Sequence, residues 1–349
     1  MEFQNIFWAA VMVAVLPAVL TGCKASMPAG KSMSGNMSSL PSIVNIGTQQ
    51  IPDDERIAIA KGYFQEEMGI KVNVMEFQAG DIRNAMVAKD IDFALLGSSS
   101  AALGIASGMN VELIWVHEIL GDAEQLVARN GSGIESVKDL KGKKVATPFS
   151  STSHYSLLKA MELNRLEEKD VTLFDMQMPD IYAAWQRGDI DAAYGWEPTL
   201  SELLRSGKTI LSSSDLASQG ITTSNVEIVR TEFAEKYPEL VTKYIKALSR
   251  AVELYQNNPA DAVLSVAQSL NIATEDAQKQ MKGSIWLSAK QEVEPACLGT
   301  NLQKGHMVDS LKDMADFLYK QKVLVSQPRL ATFEQAVNPS YVEKMIQEN

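Results

Sequence analysis

One order of predicted elements occurs twice in this chain, about a hundred residues apart. Lys89–Ala94 (KDIDFA) and Gly188–Ala193 (GDIDAA) each follow an amphipathic helical pattern and lead into a short apolar strand with a glycine near its end. In both units, a β-rich run, a polar loop and a helix precede this segment. Alternation of strands with helices indicates an α/β architecture. The repetition therefore predicts two related α/β lobes that face each other.

Length and charge limit the classes of protein that need to be considered. The 349 residues suggest about two domains, and 46% hydrophobic residues suffice for two cores. A net charge of −11, with acidic residues spread along the chain, excludes nucleic acid as an expected partner, because phosphate backbones require a basic surface. A small anion remains possible as a ligand, since local amides and hydroxyls can bind one.

The N-terminus carries an apolar run that has the length of a signal-peptide core. Ile6–Leu20 is shorter than the roughly 20 apolar residues that a membrane-spanning helix needs. Leu20-Thr21-Gly22-Cys23 follows it directly and is similar to a bacterial lipobox. We therefore expect a signal peptide over residues 1–22, lipid on Cys23 and a flexible tether over residues 23–41. An ordinary signal peptide or an uncleaved anchor is the alternative, and residues 1–5 lack the usual Lys or Arg.

Local signatures of catalysis and of cofactor binding are absent from the sequence. Cys23 and Cys297 are the two cysteines, so neither a disulfide framework nor a cysteine-based zinc site is expected. The three histidines form no HExxH pair, and no P-loop or dinucleotide-binding glycine motif occurs. These observations favour a binding protein over an enzyme, with no metal and no cofactor.

Two hydroxyl-rich loops stand immediately before predicted helices. Ser98–Ser100 precede a helical stretch over Ala101–Ala106, and Ser151–Ser153 precede a helix that starts near His154. A helix N-terminus offers unpaired N–H groups and a partial positive charge, and it can bind an anion without Lys or Arg. Either loop alone is better explained by helix capping. Their occurrence at the ends of matched strands favours a shared ligand site.

The remaining pattern suggests how the chain divides between the lobes. After Val229 the sequence is predominantly helical, and we assign these helices to the first lobe. The predicted first lobe comprises residues 42–127 and 230–349, and the inserted second lobe comprises residues 128–229. The two crossings would lie near Gln125–Arg129 and Val226–Arg230, two strand-like runs suited to a hinge.

Two segments carry a resemblance to a known family. Val145–Leu158 (VATPFSSTSHYSLL) and Ala183–Tyr194 (AAWQRGDIDAAY) resemble the central motifs of taurine-binding periplasmic proteins, in the sulfonate, nitrate and taurine solute-binding family. The resemblance implies a two-lobed, type II-like periplasmic-binding-protein fold with a ligand cleft and a two-segment hinge. It also implies an extracytoplasmic binding protein that delivers taurine or a related sulfonate to an ABC permease and its ATPase. We expect a monomer anchored by lipid at the outer face of the cell membrane.

Site residues follow from the same resemblance. The positions implied to face the cleft are Gln49, Ser98 and Ser99 from one lobe, and Ser151, Thr152, Ser153 and His154 from the other, with Trp196 walling the pocket. Three alternatives remain. The ligand could be an alkanesulfonate or nitrate-type anion, the chain could be a thiamine-pyrimidine pathway protein that uses His154, or it could be a sensor without transport.

One departure from the family concerns ligand charge. Taurine binders carry an aspartate where this chain has Asn225. Taurine has an ammonium group, which needs a counter-charge. Glu197 is the first candidate, although it could be a solvated loop carboxylate, and Glu227 is the second because it shares a strand face with Asn225.

Overall fold

The computed structural model describes residues 40–78 and 80–348. The predicted signal peptide, Cys23 and residues 24–39 of the predicted tether lie outside this part of the chain. Within the described residues, every helix is too short or too polar to span a bilayer.

Eleven strands and sixteen α-helices are present in the described residues. The strands are β1 (Ile43–Thr48), β2 (Lys71–Glu76), β3 (Phe93–Gly97), β4 (Val111–Leu120), β5 (Glu124–Arg129), β6 (Lys144–Thr147), β7 (Thr172–Asp175), β8 (Ala192–Trp196), β9 (Gly207–Ser212), β10 (Ser224–Arg230) and β11 (Ser284–Ile285). The helices are α1 (Asp54–Lys61), α2 (Tyr63–Met68), α3 (Asp81–Ala88), α4 (Ser98–Ala106), α5 (Thr152–Leu163), α6 (Met178–Arg187), α7 (Thr199–Leu204), α8 (Ser213–Ala217), α9 (Thr231–Lys236), α10 (Pro238–Asn257), α11 (Pro259–Leu270), α12 (Thr274–Met281), α13 (Ala289–Glu292), α14 (Met307–Lys320), α15 (Leu330–Ala336) and α16 (Ser340–Glu348).

The strands form two mixed sheets with corresponding arrangements. The first lobe contains a six-stranded sheet of order β11-β4-β10-β3-β1-β2, and the second contains a five-stranded sheet of order β7-β6-β8-β5-β9. In each sheet a first strand lies parallel between two others, β1 between β2 and β3, and β6 between β7 and β8. An antiparallel strand then follows, β10 beside β3 and β5 beside β8. The two lobes are therefore related α/β units, as the repeated sequence pattern predicts.

The antiparallel strands are where the chain passes from one sheet to the other. Strand β5 follows β4 of the first lobe but pairs wholly within the second, and β10 follows β9 of the second lobe but pairs wholly within the first. The expected crossings at Gln125–Arg129 and Val226–Arg230 are therefore inside strands. Sheet pairing moves them earlier, to residues 121–123 between β4 and β5, and to the segment between β9 and β10.

The C-terminal helices pack on the first lobe. Leu240, Tyr244 and Leu248, from the apolar stripe that predicts α10, are all buried, and α10 lies against α1 and α2. The Tyr244 ring stacks on Phe93 of β3, with 4.1 Å between ring centroids. An amphipathic helix is held mainly by burial of such a stripe.

Both helices predicted after the hydroxyl-rich loops begin earlier than expected. Helix α4 starts at Ser98, with Gly97 as its N-cap, so the serines belong to its first turn. Helix α5 starts at Thr152, and Ser151 is its N-cap. The hydroxyl-rich segments are therefore the first turns of these helices, and their backbone N–H groups lie at the helix ends.

Candidate functional site

A cavity lies where the two sheets face each other. From the first lobe it is lined by the polar residues Gln49, Ser100, Glu118, Asn225, Gln280 and Ser284. From the second lobe it is lined by Glu124, Ser151, Thr152, Trp196 and Glu197. Among the described residues that line it, none is Lys, Arg or His. An anion in this cavity therefore depends on neutral donors.

Two helix N-termini reach this cavity, one from each lobe. Gly97 and Ser100 of the α4 terminus belong to its wall, as do Ser151 and Thr152 of the α5 terminus. The first N–H groups of a helix have no acceptor within the helix. In α5 the Ser151 hydroxyl oxygen accepts from the His154 amide at 3.2 Å. The amides of Thr152 and Ser153 stand at the same terminus and are suited to an anionic ligand.

The two termini approach each other closely at Gly97. A Cβ atom at this position would lie 2.9 Å from Cγ2 of Thr152 in the other lobe, which is inside normal van der Waals contact. Gly97 has an ordinary extended backbone, with φ of −64°, so its small size rather than its conformational freedom is what matters. Glycine permits the lobes to meet beside the cavity.

Glu124 connects several hydroxyls of the second lobe. It accepts from Thr152 at 2.5 Å, from Ser153 at 2.8 Å and from Ser213 at 2.7 Å. Burial raises the pKa of the Glu124 carboxyl, while these hydroxyl donors oppose the shift. The hydroxyls of Thr152 and Ser153 are therefore committed to a carboxylate. We expected them to donate to the ligand, and the backbone N–H groups of this turn are the donors that remain.

A second buried carboxylate, Glu118, pairs with Asn225 across strands β4 and β10. The two residues are direct partners in the sheet register, and Asn225 Nδ2 donates to Glu118 Oε1 at 2.7 Å. Burial raises the pKa of Glu118 to about 7, against the stabilising effect of Asn225 and Ser284 on the charged form. Asn225 therefore lines the cavity, with a carboxylate beside it on the neighbouring strand.

Glu197 also lines the cavity, beside Trp196. Its two carboxylate oxygens accept from the backbone N–H and the hydroxyl of Ser201, each at 2.9 Å, in the first turn of α7. Burial raises the pKa of Glu197 to about 7, and the Ser201 donors oppose this shift. The carboxylate therefore has a structural partner in the absence of ligand.

The structure brings some of the predicted site residues together and separates others. The cavity wall includes six of them: Gln49, Ser151, Thr152, Trp196, Glu197 and Asn225. Five lie behind that wall: Ser98, Ser99, Ser153, His154 and Glu227. Gln49 Nε2 donates to the Leu95 carbonyl at 3.1 Å, and the Ser98 hydroxyl oxygen accepts from the Ser224 amide at 3.1 Å. Ser100, one residue beyond the predicted pair, lines the cavity instead.

His154 supports the loop before α5. Its ring stacks on Phe149, with 4.4 Å between centroids, and Nδ1 accepts from the Ser150 amide at 3.2 Å. Burial lowers the pKa of His154 to about 4, although Asp175 opposes the shift, so the ring is neutral at pH 7. The Nδ1 acceptor places the ring proton on Nε2, which is buried without a hydrogen-bond partner among the described residues.

Glu227 lies in the core with His117. The imidazole joins Asp54 Oδ1 at 2.6 Å through Nδ1 and Glu227 Oε2 at 3.0 Å through Nε2, and all three side chains are fully buried. Burial disfavours the charged ring, yet Asp54 and Glu227 hold the pKa of His117 well above its ordinary value. Asp53, Asp54 and His117 offer ligand-type atoms within 4.8 Å of one another. A cation there would have to displace one of these His117 hydrogen bonds.

Sequence reasoning missed Glu118, Glu124, Gln280 and Ser284. The sequence does contain a signal for Glu118, because the apolar strand Val111–Leu120 includes both His117 and Glu118. Charged residues are rarely buried without a partner, so their presence in such a strand indicates a buried polar site. Gln280 and Ser284 stand in the predominantly helical region after Val229, where the sequence analysis names no site residue.

Comparison with known proteins places the chain among solute-binding proteins. A family model described as NMT1/THI5 like matches residues 56–262. The taurine-binding periplasmic protein of Escherichia coli K12 is 32% identical over 80% of this chain and 86% of its own length. The chain belongs to the NMT1/THI5-like family.

One further sequence relative and one solved structure match nearly the whole chain. A Bacillus subtilis protein named for aliphatic sulfonate binding is 30% identical over 97% of this chain and 96% of its own length. The structure of the alkanesulfonate-binding protein SsuA from Xanthomonas axonopodis, bound to MOPS, superposes with a TM-score of 0.72 at 20% identity. It covers 85% of this chain and 99% of that one. The expected two-lobed periplasmic-binding-protein fold is confirmed, and these relatives are binding proteins rather than enzymes.

Proposed function

We propose that this protein binds taurine or a closely related aminosulfonate in the cavity between its lobes and delivers it to an ABC permease and its ATPase. The observation that carries the proposal is the meeting of two helix N-termini, those of α4 and α5, at one buried cavity. Oriented backbone N–H groups and the positive ends of helix dipoles stabilise a sulfonate without a formal cation.

The charge of the cavity favours a zwitterion over a simple anion. Glu118, Glu124 and Glu197 line it, and the described lining residues include no basic side chain. A nitrate or an alkanesulfonate would place an anion near three carboxyl groups without any compensating charge. Taurine has no net charge, since its ammonium offsets its sulfonate. Trp196 supplies an apolar wall for the two methylene groups between them.

A thermal-shift screen of the purified full-length chain tests this function. At one hundred times its Kd, taurine should stabilise the folded protein by about 2.7 kcal/mol. Ethanesulfonate, nitrate, sulfate and pyrimidines serve as the other arms of the screen. We expect taurine to give the largest rise in melting temperature. A larger rise with nitrate or with a pyrimidine, and none with sulfonates, would contradict the proposed function.

We also propose that lipid on Cys23 holds the protein at the extracytoplasmic face of the membrane. The apolar run Ile6–Leu20 and the lipobox-like Leu20–Cys23 support this proposal. Cys23→Ala should move the protein from the membrane fraction into the periplasm or the medium. Cys297→Ala is the matched control, because Cys297 is buried in the folded protein and should leave the location unchanged. Retention of Cys23→Ala in membranes after washing without detergent would contradict a lipid anchor.

Binding would proceed by closure of the lobes about the two crossings. The chain passes between the sheets at residues 121–123 and between β9 and β10. Two adjacent segments of this kind form a hinge, and periplasmic binding proteins close around their ligands by hinge motion. The protein would act as a monomer, because its cavity is completed by the two lobes of one chain.

A further inference from the structure

We propose that Glu118, held in place by Asn225, is the carboxylate that pairs with the ligand ammonium in this chain. This inference rests on the proposed aminosulfonate function and identifies the residue that distinguishes an aminosulfonate from a plain sulfonate. Glu118 lies on strand β4, directly beside Asn225 of strand β10.

The sheet register connects Glu118 to the helix end of α4 through two neighbouring strands. Gly97 of β3, Asn225 of β10 and Glu118 of β4 are successive neighbours across three strands. Adjacent strands are about 4.8 Å apart. The Glu118 side chain meets the side-chain amide of Asn225, on the strand between Glu118 and Gly97, at 2.7 Å. Gly97 and Glu118 both line the cavity, so a sulfonate at the α4 terminus and an ammonium at Glu118 would occupy the same cavity.

The other carboxylates of the cavity are already occupied. Glu124 accepts three hydroxyl hydrogen bonds at 2.5–2.8 Å, which hold the second lobe together. Glu197 accepts two from Ser201. Glu227 is hydrogen-bonded to His117 in the core and does not line the cavity. Glu118 has neutral amide and hydroxyl neighbours, Asn225 and Ser284, and an ammonium is a stronger partner for a carboxylate than either.

Asn225 orients Glu118 and keeps a second charge away from it. An aspartate at position 225 would place two carboxylates in hydrogen-bond contact, and like charges so close do not both ionise. A carboxylate at position 118 and an amide at position 225 are therefore a compatible pair. The double variant Glu118→Gln/Asn225→Asp reverses donor and acceptor, so the glutamine amide can donate to the aspartate while the charge moves by one strand.

Titration calorimetry with taurine and with ethanesulfonate tests this assignment. Glu118→Gln should weaken taurine binding at least tenfold and leave ethanesulfonate binding unchanged or tighter, because one acidic group near the anion is removed. The double variant should recover most of the taurine affinity. Glu197→Gln tests the rival carboxylate of the cavity. Glu112→Gln is the control, because Glu112 lies on the same strand as Glu118 but outside the cavity, and it should alter taurine binding by less than about threefold. Melting temperatures of all variants, without ligand, establish that each is folded.

The possible results separate this inference from the function on which it rests. Equal losses for both ligands in Glu118→Gln would overturn the role of Glu118, and so would a taurine-specific loss in Glu197→Gln alone. In either case, taurine binding by the wild type would still support the proposed function. Failure of the double variant to regain taurine binding, when it melts like the wild type, would also overturn it. Absence of binding of either ligand to the wild type would overturn both.

Discussion

Replacement of His117 by leucine is expected to lower the free energy of unfolding by about 3–5 kcal/mol. His117 bridges Asp54 and Glu227 in the core of the first lobe, and the pKa of the ring is held well above its ordinary value. The ring therefore supplies positive charge to this acidic cluster. Burial raises the pKa of Glu227 to about 8, so the pairing with Asp54 carries most of this effect. Leucine fills a similar volume but leaves two acidic groups without the ring. Removing one partner of a buried ion pair costs far more than removing a surface pair.

Urea denaturation of three proteins measures this effect. The wild type, His117→Leu and the double variant His117→Leu/Glu227→Leu should have similar m-values, so that midpoints report stability. The double variant should be more stable than His117→Leu, because it removes one of the two buried acidic groups that lose their hydrogen bond to His117. A loss below about 1.5 kcal/mol in His117→Leu, the size of a neutral hydrogen bond, would show that the carboxyl groups are protonated and the ring is uncharged.

The architecture could be predicted from sequence because it is repeated locally. The two Asp-Ile-Asp segments lead into β3 and β8, which occupy equivalent places beside β1 and β6. The periodicity of each helix and strand depends on neighbouring residues only, and the sequence displays it directly. The strands at which the chain passes between the sheets are harder to assign from sequence, for the opposite reason. Strands β5 and β10 have apolar patterns that fit either sheet, and distant pairing partners decide which sheet they join.

The candidate site was predictable where it follows strand ends, and unpredictable where it depends on register. Ser151, Thr152 and Trp196 stand at such ends, and the sequence identifies them. Glu118 faces the cavity because β4 pairs with β10, whose residue Asn225 is more than a hundred positions away. A shift of one residue in that register would turn Glu118 to the other face of the sheet. No local pattern contains this information.

Gly97→Ala is expected to weaken ligand binding between about 5-fold and 150-fold. The added methyl group would lie 2.9 Å from Cγ2 of Thr152 in the other lobe. Thr152 cannot easily turn away, because it is buried and its hydroxyl donates to Glu124 at 2.5 Å. Overpacking of this kind costs about 1–3 kcal/mol, and each 1.4 kcal/mol is a tenfold change in affinity. An open form avoids the contact, so the cost falls on the closed, ligand-bound form.

Thr152→Ser provides the matched rescue, since it removes Cγ2 and keeps the hydroxyl that donates to Glu124. Calorimetry should find Thr152→Ser close to the wild type and Gly97→Ala/Thr152→Ser restored toward it. Small-angle scattering should show the wild type contracting at saturating taurine and Gly97→Ala contracting at higher ligand concentration. Unchanged affinity in Gly97→Ala, or a loss that Thr152→Ser does not relieve, would mean that the lobes do not meet at Gly97 when ligand is bound. The rescue therefore tests closure through a single methyl group, independently of which residues hold the ligand.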